Sequence, residues 1–305
     1  MRRRKGRPVH GWVVLDKPLG MSSAQAVATV RRLFDAAKAG HAGTLDPLAT
    51  GVLPIALGEA TKAMPYVVAG SKIYRFTLRW GVATDTDDAA GTATATSAAR
   101  PSAGEIQAAL PAFIGTIEQT PPAYSALKIA GARAYDLARQ GAAPVMTPRP
   151  ITVERLVLIE QADPDHATFE ADVGKGTYIR ALGRDLALAL GTVAHVAALR
   201  RLAVGPFRLD GAISLENLAA LAHSGEASEH LLSVETALDD IPALAVTEAE
   251  AASLRHGRPV TSANETRCRG LSEGTTIRAV SGDRLVAFAQ IRDGGLQPIR
   301  VLNFD

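Results

Sequence analysis

A chain of 305 residues, 47% hydrophobic and 21% charged, is long enough for one large domain or a large and a small one, and has the composition of an ordinary globular protein. Its sole cysteine, Cys268, excludes an internal disulfide and a cysteine-rich zinc site, and no apolar run approaches the roughly 20 residues that span a bilayer; a cytoplasmic protein with no membrane partner is expected. The net charge of +2 hides an asymmetry: residues 1–80 hold 13 Lys and Arg against 4 Asp and Glu, whereas residues 209–250 hold 9 Asp and Glu and no Lys or Arg, which suits a polyanion partner for the first part.

The basic start, Met1 to Arg7, lacks the apolar core of a signal peptide. Residues 11–15 read as a buried strand. Ser22 or Ser23 can cap a helix running to Phe34, with Val27, Val30, Leu33 and Phe34 on one face. Residues 52–58 form an extended apolar run. Residues 72–80 alternate with period two, so Tyr74, Phe76, Leu78 and Trp80 share one face. An Ala-, Thr- and Ser-rich loop covers residues 89–102, and a helix over 103–110 stops or kinks at Pro111. Gly and Pro punctuate residues 120–150. Strands are predicted near 151–160, 167–173 and 177–181, then a helix over about 181–190, ended by Gly191. Residues 214–240 read as acidic and mostly helical, broken near Gly225. From about Pro242 a short helix, 248–256, precedes alternating strands at 276–280, 285–291 and 298–302, joined by Gly-containing turns.

The segment His41-Ala-Gly-Thr-Leu-Asp46-Pro-Leu-Ala-Thr-Gly51 carries the chemistry. Asp46 is its one acidic residue. Gly43 permits backbone angles closed to other residues, and Pro47 pushes Asp46 toward an extended conformation. An Asp-Pro pair also suits a helix start, with Asp as cap and Pro at the first helical position, and both readings are compatible with a nucleophilic Asp.

Residues 41–62, HAGTLDPLATGVLPIALGEATK, resemble the catalytic motif of the TruB family of tRNA pseudouridine synthases. Further blocks follow in family order: Gly11 to Pro18 with Gly20-Met21-Ser22-Ser23, Tyr124 to Lys128 with Gly131 and Arg133-Ala134-Tyr135, Gly174 to Arg180, and Ala194-His195 through Arg201. The resemblance covers about residues 10–210. Val173-Gly174 depart mildly from it, where many members carry Cys or Ser.

The resemblance implies an α/β fold with a mixed, mainly antiparallel sheet and flanking helices. It implies a catalytic domain over residues 1–241 with an RNA-clamping insert at about 120–150, and a small β-barrel-like, PUA-type RNA-binding domain over 242–305. The implied reaction isomerises the uridine at position 55 of the tRNA T arm. That conversion is redox-neutral and loses no group, so no cofactor and no metal is demanded. Asp46 is the expected nucleophile, attacking C1′ or acting through elimination at C2′. Covered by substrate, its carboxylate needs a cation to stay ionised. Arg180 is the candidate, on a predicted strand that points it the same way as Tyr178. The resemblance makes Tyr74 the tyrosine that stacks on the target base. Tyr178 would pack beneath the base, Leu199 would wall the pocket, and His41 would hold flipped nucleotides. Lys17, Lys62, Arg200 and Arg201 are candidate phosphate contacts. A stand-alone, monomeric enzyme needing no guide RNA is expected, with a guide-dependent relative or a non-catalytic RNA-folding protein as alternatives.

Overall fold

The computed structural model describes residues 6–125, 146–260 and 270–304, together with backbone strands at Lys128–Ile129 and Ala132–Arg133. The clamp expected at about 120–150 therefore lies largely outside the described residues.

The strands in chain order are β1 (Gly11–Lys17), β2 (Ala39–His41), β3 (Ala49–Leu57), β4 (Lys72–Trp80), β5 (Val82–Thr84), β6 (Ala93–Thr96), β7 (Gly115–Gln119), β8 (Lys128–Ile129) and β9 (Ala132–Arg133). The second half adds β10 (Arg149–Asp163), β11 (His166–Val173), β12 (Ala194–Val204), β13 (Phe207–Arg208), β14 (Ile213–Ser214), β15 (Ala243–Ala245), β16 (Thr276–Ser281), β17 (Arg284–Arg292) and β18 (Gly295–Val301). One ten-stranded sheet dominates, in the order β14-β1-β3-β12-β4-β11-β10-β7, with β2 added on β3 and β13 on β12. Its pairings are antiparallel except β1 with β14 and β3 with β12.

The predicted alternation of β4 holds. Tyr74, Phe76, Leu78 and Trp80 are buried, Phe76 and Phe169 stack with ring centroids 5.3 Å apart, and Arg75 and Arg79 face outward. The helix Ser23–Leu33 begins where Ser22 and Gln25 form a reciprocal capping box, and it lays Ala26 and Val30 on the core. The helix Ala103–Ala109 ends before Pro111, and a 3-10 turn carries the chain on to Phe113.

Two local expectations are corrected. The loop at 89–102 contains β6, which pairs with β5. No strand exists at 177–181: Tyr178 is the extended cap of a helix, Ile179–Ala189, so Arg180 lies in its first turn. β-branched and aromatic residues at 177–179 mimic a strand locally. The long-range partner that captures this backbone is a side chain, Gln119, and not a neighbouring strand.

A second sheet, β15-β16-β17-β18, packs on the opposite face of β1 and β3. Tyr66 and Phe288 meet at 4.7 Å between ring centroids, Leu285 and Leu302 join the cluster around Trp12 and Val67, and Asn303 donates its backbone N–H to the Glu59 carboxylate. The helix Glu248–Arg255, capped by Thr247, covers the other side of this sheet. Among the described residues no helix is long and apolar enough to cross a membrane.

Candidate active site

The loop between β2 and β3 presents Asp46. It contains no helix: the Ala49 N–H bonds the Asp46 carbonyl at 3.0 Å, closing a tight turn with Pro47 at its second position. A loop of this kind leaves its own carbonyls unpaired, and buried polar groups must find partners. Two buried cations supply them. Arg201 donates from Nε to the Val52 carbonyl at 2.8 Å, from Nη2 to Gly43 at 3.0 Å and from Nη1 to Thr44 at 3.4 Å. Lys17 Nζ donates to the carbonyls of Met21 at 2.7 Å and Pro18 at 2.9 Å, and reaches Pro47 at 3.5 Å. Ser23 adds a pair of bonds to Leu45, accepting from its N–H at 2.8 Å and donating to its carbonyl at 2.9 Å.

These contacts turn two of the candidate phosphate residues inward. Lys17 is 0% exposed and Arg201 1% exposed, with their polar heads turned onto loop carbonyls. Both shape the loop; Lys17 is absent from the lining of the cleft around Asp46, whereas Arg201 forms part of it. Burial pushes the Lys17 ammonium down to about 8, against the attraction of Asp46 and with the repulsion of Arg201. Lys62 pairs with Glu59 and donates to the Val301 carbonyl at 2.7 Å, so it ties the small sheet to the large one. Arg200 pairs with Asp16 at 2.7 Å but keeps 39% of its side chain open, which leaves it able to meet a phosphate.

Arg180 comes from the other side. Its Nη2 lies 2.9 Å from Asp46 Oδ2, and its side chain is 7% exposed while that of Asp46 is 39% exposed. The guanidinium is fixed from behind. Nη1 donates to the Thr86 carbonyl at 2.8 Å, Nη2 also donates to the Tyr124 carbonyl at 2.9 Å, and Nε lies 3.6 Å from Asp88 Oδ2. The arrangement offers a carboxylate to solvent and backs it with an immobile cation. The counter-charge acts more strongly as substrate removes water from around the pair.

Both residues line a cleft of about 320 Å³ together with Tyr74, Tyr178, Leu199, Lys72 and the Gly174–Gly176 turn. Tyr74 is 9% exposed on β4. Tyr178 lies under the Arg149 guanidinium, 5.3 Å from its ring centroid. Leu199 pairs in register with Ala49 across the parallel β3 and β12, directly after the Asp46 turn. His41 ends β2 at the start of the loop and is not part of the cleft lining. Its burial, and then the charge of Arg201, lower its pKa, so the imidazole is neutral near pH 7. A larger cleft of about 620 Å³ lies between the two sheets, but the charges that line it include an Arg255–Glu248 pair already matched at 2.7 Å, and it holds none of the loop residues.

Sequence reading missed three contributors. Lys72 lies two residues before Tyr74 and so shares its face; burial, then Arg201 and Lys175, bring its ammonium down to about 8. Period-two spacing could have found it. Gln119 and Ser23 carry no local signal, because each acts across a long chain separation.

The TruB family pseudouridylate synthase N-terminal domain matches residues 31–179, and the tRNA pseudouridylate synthase B C-terminal domain matches residues 180–239. The chain is 56% identical over 306 residues to the tRNA pseudouridine synthase B of Bradyrhizobium diazoefficiens, covering 99% of this chain and 88% of that protein. It is 52% identical over 305 residues to the tRNA pseudouridine synthase B of Rhodospirillum rubrum, covering 99% of each. Among solved structures, a chain in a Cbf5-Nop10-Gar1 complex is similar at a TM-score of 0.74 and 25% identity, over 97% of this chain and 85% of that one.

Proposed function

The chain belongs to the TruB family of pseudouridylate synthases, and from that premise we propose that it isomerises uridine-55 in the T arm of tRNA to pseudouridine. The observation that carries the reading is the open Asp46 carboxylate held 2.9 Å from the buried Arg180 guanidinium, in a cleft that Tyr74 and Tyr178 also line.

The target uridine must leave its stack to reach Asp46, at a cost of a few kcal/mol. Stacking against Tyr74 returns about 1–3 kcal/mol, and phosphate contacts from open cations such as Arg200 add the salt-dependent remainder. Asp46 then labilises the N-glycosidic bond, by attack at C1′ or by taking the proton at C2′. The freed uracil turns within the cleft and C5 bonds to C1′, displacing the Asp46 carboxylate from C1′ in the first route or with return of the proton from Asp46 to C2′ in the second; the C5 proton leaves to solvent as N1 regains one. Arg180 holds the Asp46 charge throughout, Tyr178 and Leu199 bound the base, and His41, neutral at pH 7, steadies displaced nucleotides. The residues of the chain suffice for these steps, with no cofactor or metal.

Residues 1–241 are the catalytic domain in this reading, residues 120–150 grip the T stem-loop, and residues 242–305 are a PUA-type RNA-binding unit. The protein works as a cytoplasmic monomer without guide RNA. The identity of 52–56% to proteins named for tRNA supports this over the guide-dependent alternative. The test is tritium release from unguided [5-³H]uridine tRNA transcript by wild type and Asp46→Asn. Release by wild type and silence in the variant, with tRNA binding kept, supports the reading. No release from wild type moves the reading to a guide-dependent or purely RNA-folding protein, and release by both discards Asp46 as nucleophile.

A further inference from the structure

We propose that Gln119 is a positioning residue for this reaction, acting through the backbone of Tyr178 on Tyr178 and Arg180; the inference rests on the function proposed above. Gln119 closes β7 and is 1% exposed. Its carboxamide makes two hydrogen bonds to one residue: Oε1 accepts from the Tyr178 N–H at 2.8 Å, and Nε2 donates to the Tyr178 carbonyl at 3.2 Å. A side chain thus stands in for the missing strand partner. Both peptide planes flanking Tyr178 are set by it. One of these planes directs the ring of Tyr178, and the other starts the helix from which Arg180 reaches Asp46.

Tyr178 needs this help. It is the helix cap, yet its own side chain makes no capping bond, and its backbone is extended with φ −107° and ψ 114°. The chain after Gln119 strengthens the same junction. Arg184 Nη2 donates to the Thr120 carbonyl at 2.8 Å, and Arg180 Nη2 donates to the Tyr124 carbonyl at 2.9 Å. One strand exit therefore grips the first turns of the catalytic helix at three points. The Gln119 link alone requires a group that donates and accepts at once. Glutamate would turn an acceptor oxygen toward the Tyr178 carbonyl, asparagine is one methylene too short, and methionine keeps the shape with neither bond. Gln119 is absent from the cleft lining, so it does not act by touching substrate.

The test compares wild type, Q119M, Q119N and R180K by single-turnover tritium release at saturating enzyme, with tRNA affinity measured separately. Thr192→Val serves as a control, since it removes a partly buried hydrogen bond to the Ala99 carbonyl and neither residue lines the cleft. We expect Q119M to lower the rate by about ten- to a hundredfold while affinity changes less than about threefold, because misplacement of a reacting group by about 1 Å has this effect. In the R180K background the same substitution should cost less than in wild type, since the share of its effect that passes through Arg180 is already lost. T192V should lose thermal stability with its rate unchanged. Should Q119M fail to fold, Q119N carries the same rate–affinity split. An unchanged rate in folded Q119M or Q119N, or full additivity with R180K, overturns the inference. Inactive wild type overturns instead the proposed reaction.

Discussion

Gly51 and Arg201 face one another across the parallel β3–β12 pair so closely that a Cβ on Gly51 would sit 2.1 Å from the Arg201 carbonyl oxygen. Gly51 also has φ +99°, a region that side chains avoid. This approach puts the Arg201 guanidinium beneath the carbonyls of Gly43, Thr44 and Val52, and so shapes the turn that carries Asp46. Gly51→Ala should therefore destabilise the fold by about 3 kcal/mol, from strain and displaced backbone together. Urea unfolding followed by circular dichroism measures it; a loss near zero would mean that β12 can move away freely.

Arg180 presents two nitrogens at fixed angles, one toward Asp46 and one toward the Thr86 carbonyl. Lysine can satisfy one of these directions but not the set. Arg180→Lys should lower the single-turnover rate by about a hundredfold or more, on the scale seen when one preorganised electrostatic group is removed. Affinity for tRNA should stay within about threefold. A matching loss of affinity with an unchanged rate would assign Arg180 to binding.

The buried ammonium groups of Lys17 and Lys72 make stability depend on alkaline pH. Both have folded pKa values lowered from 10.5 to about 8, chiefly by burial. Below about pH 8 the folded and unfolded chains are both protonated at these sites. Between about pH 8 and pH 10.5 the unfolded chain binds more protons, so stability rises with pH across that window. Lys72→Met should flatten part of the rise when urea midpoints are compared at pH 7.5 and 9.5. Parallel curves for wild type and variant would show that Lys72 keeps its charge when folded.

The small sheet is docked through Phe288, which is fully buried against Tyr66 and the cluster around Trp12. Phe288→Ala should lower unfolding free energy by about 3–5 kcal/mol through the cavity it leaves. The Asp46 cleft is lined by no residue of this sheet, so the single-turnover rate at saturating enzyme should change less than about threefold. Deletion of residues 242–305 should accordingly weaken tRNA binding more than chemistry, provided the uncovered Trp12 cluster stays folded. A collapse of rate in a well-folded Phe288→Ala protein would mean that the sheet acts on the cleft after all.

Much of the candidate site is legible in the sequence. The serine cap at Ser22 or Ser23, the alternation that buries Tyr74, and the Gly- and Pro-bounded segment around Asp46 are local patterns. Periodicity and turn chemistry act over a few residues, so residues close in sequence report them. What lies 149 residues apart, such as Arg201 Nε on the Val52 carbonyl, leaves no such trace.

The sequence alone therefore determined β1, β3, β4, β10, β11 and β16 to β18, the longer helices, the Asp46 motif and the face that Tyr74 shares, but gave no sign of β7 or of the central β12. Only the tertiary structure decided that residues 177–181 do not pair as a strand, since that depends on the Gln119 carboxamide reaching Tyr178 from β7. It also decided which cations face solvent. Lys17 and Arg201 read as surface charges by type, yet both are buried because loop carbonyls converge on them, and a guanidinium or ammonium with enough acceptors can leave water. Charge is written in the sequence, but its exposure is set by which distant backbone groups the fold brings within hydrogen-bonding reach.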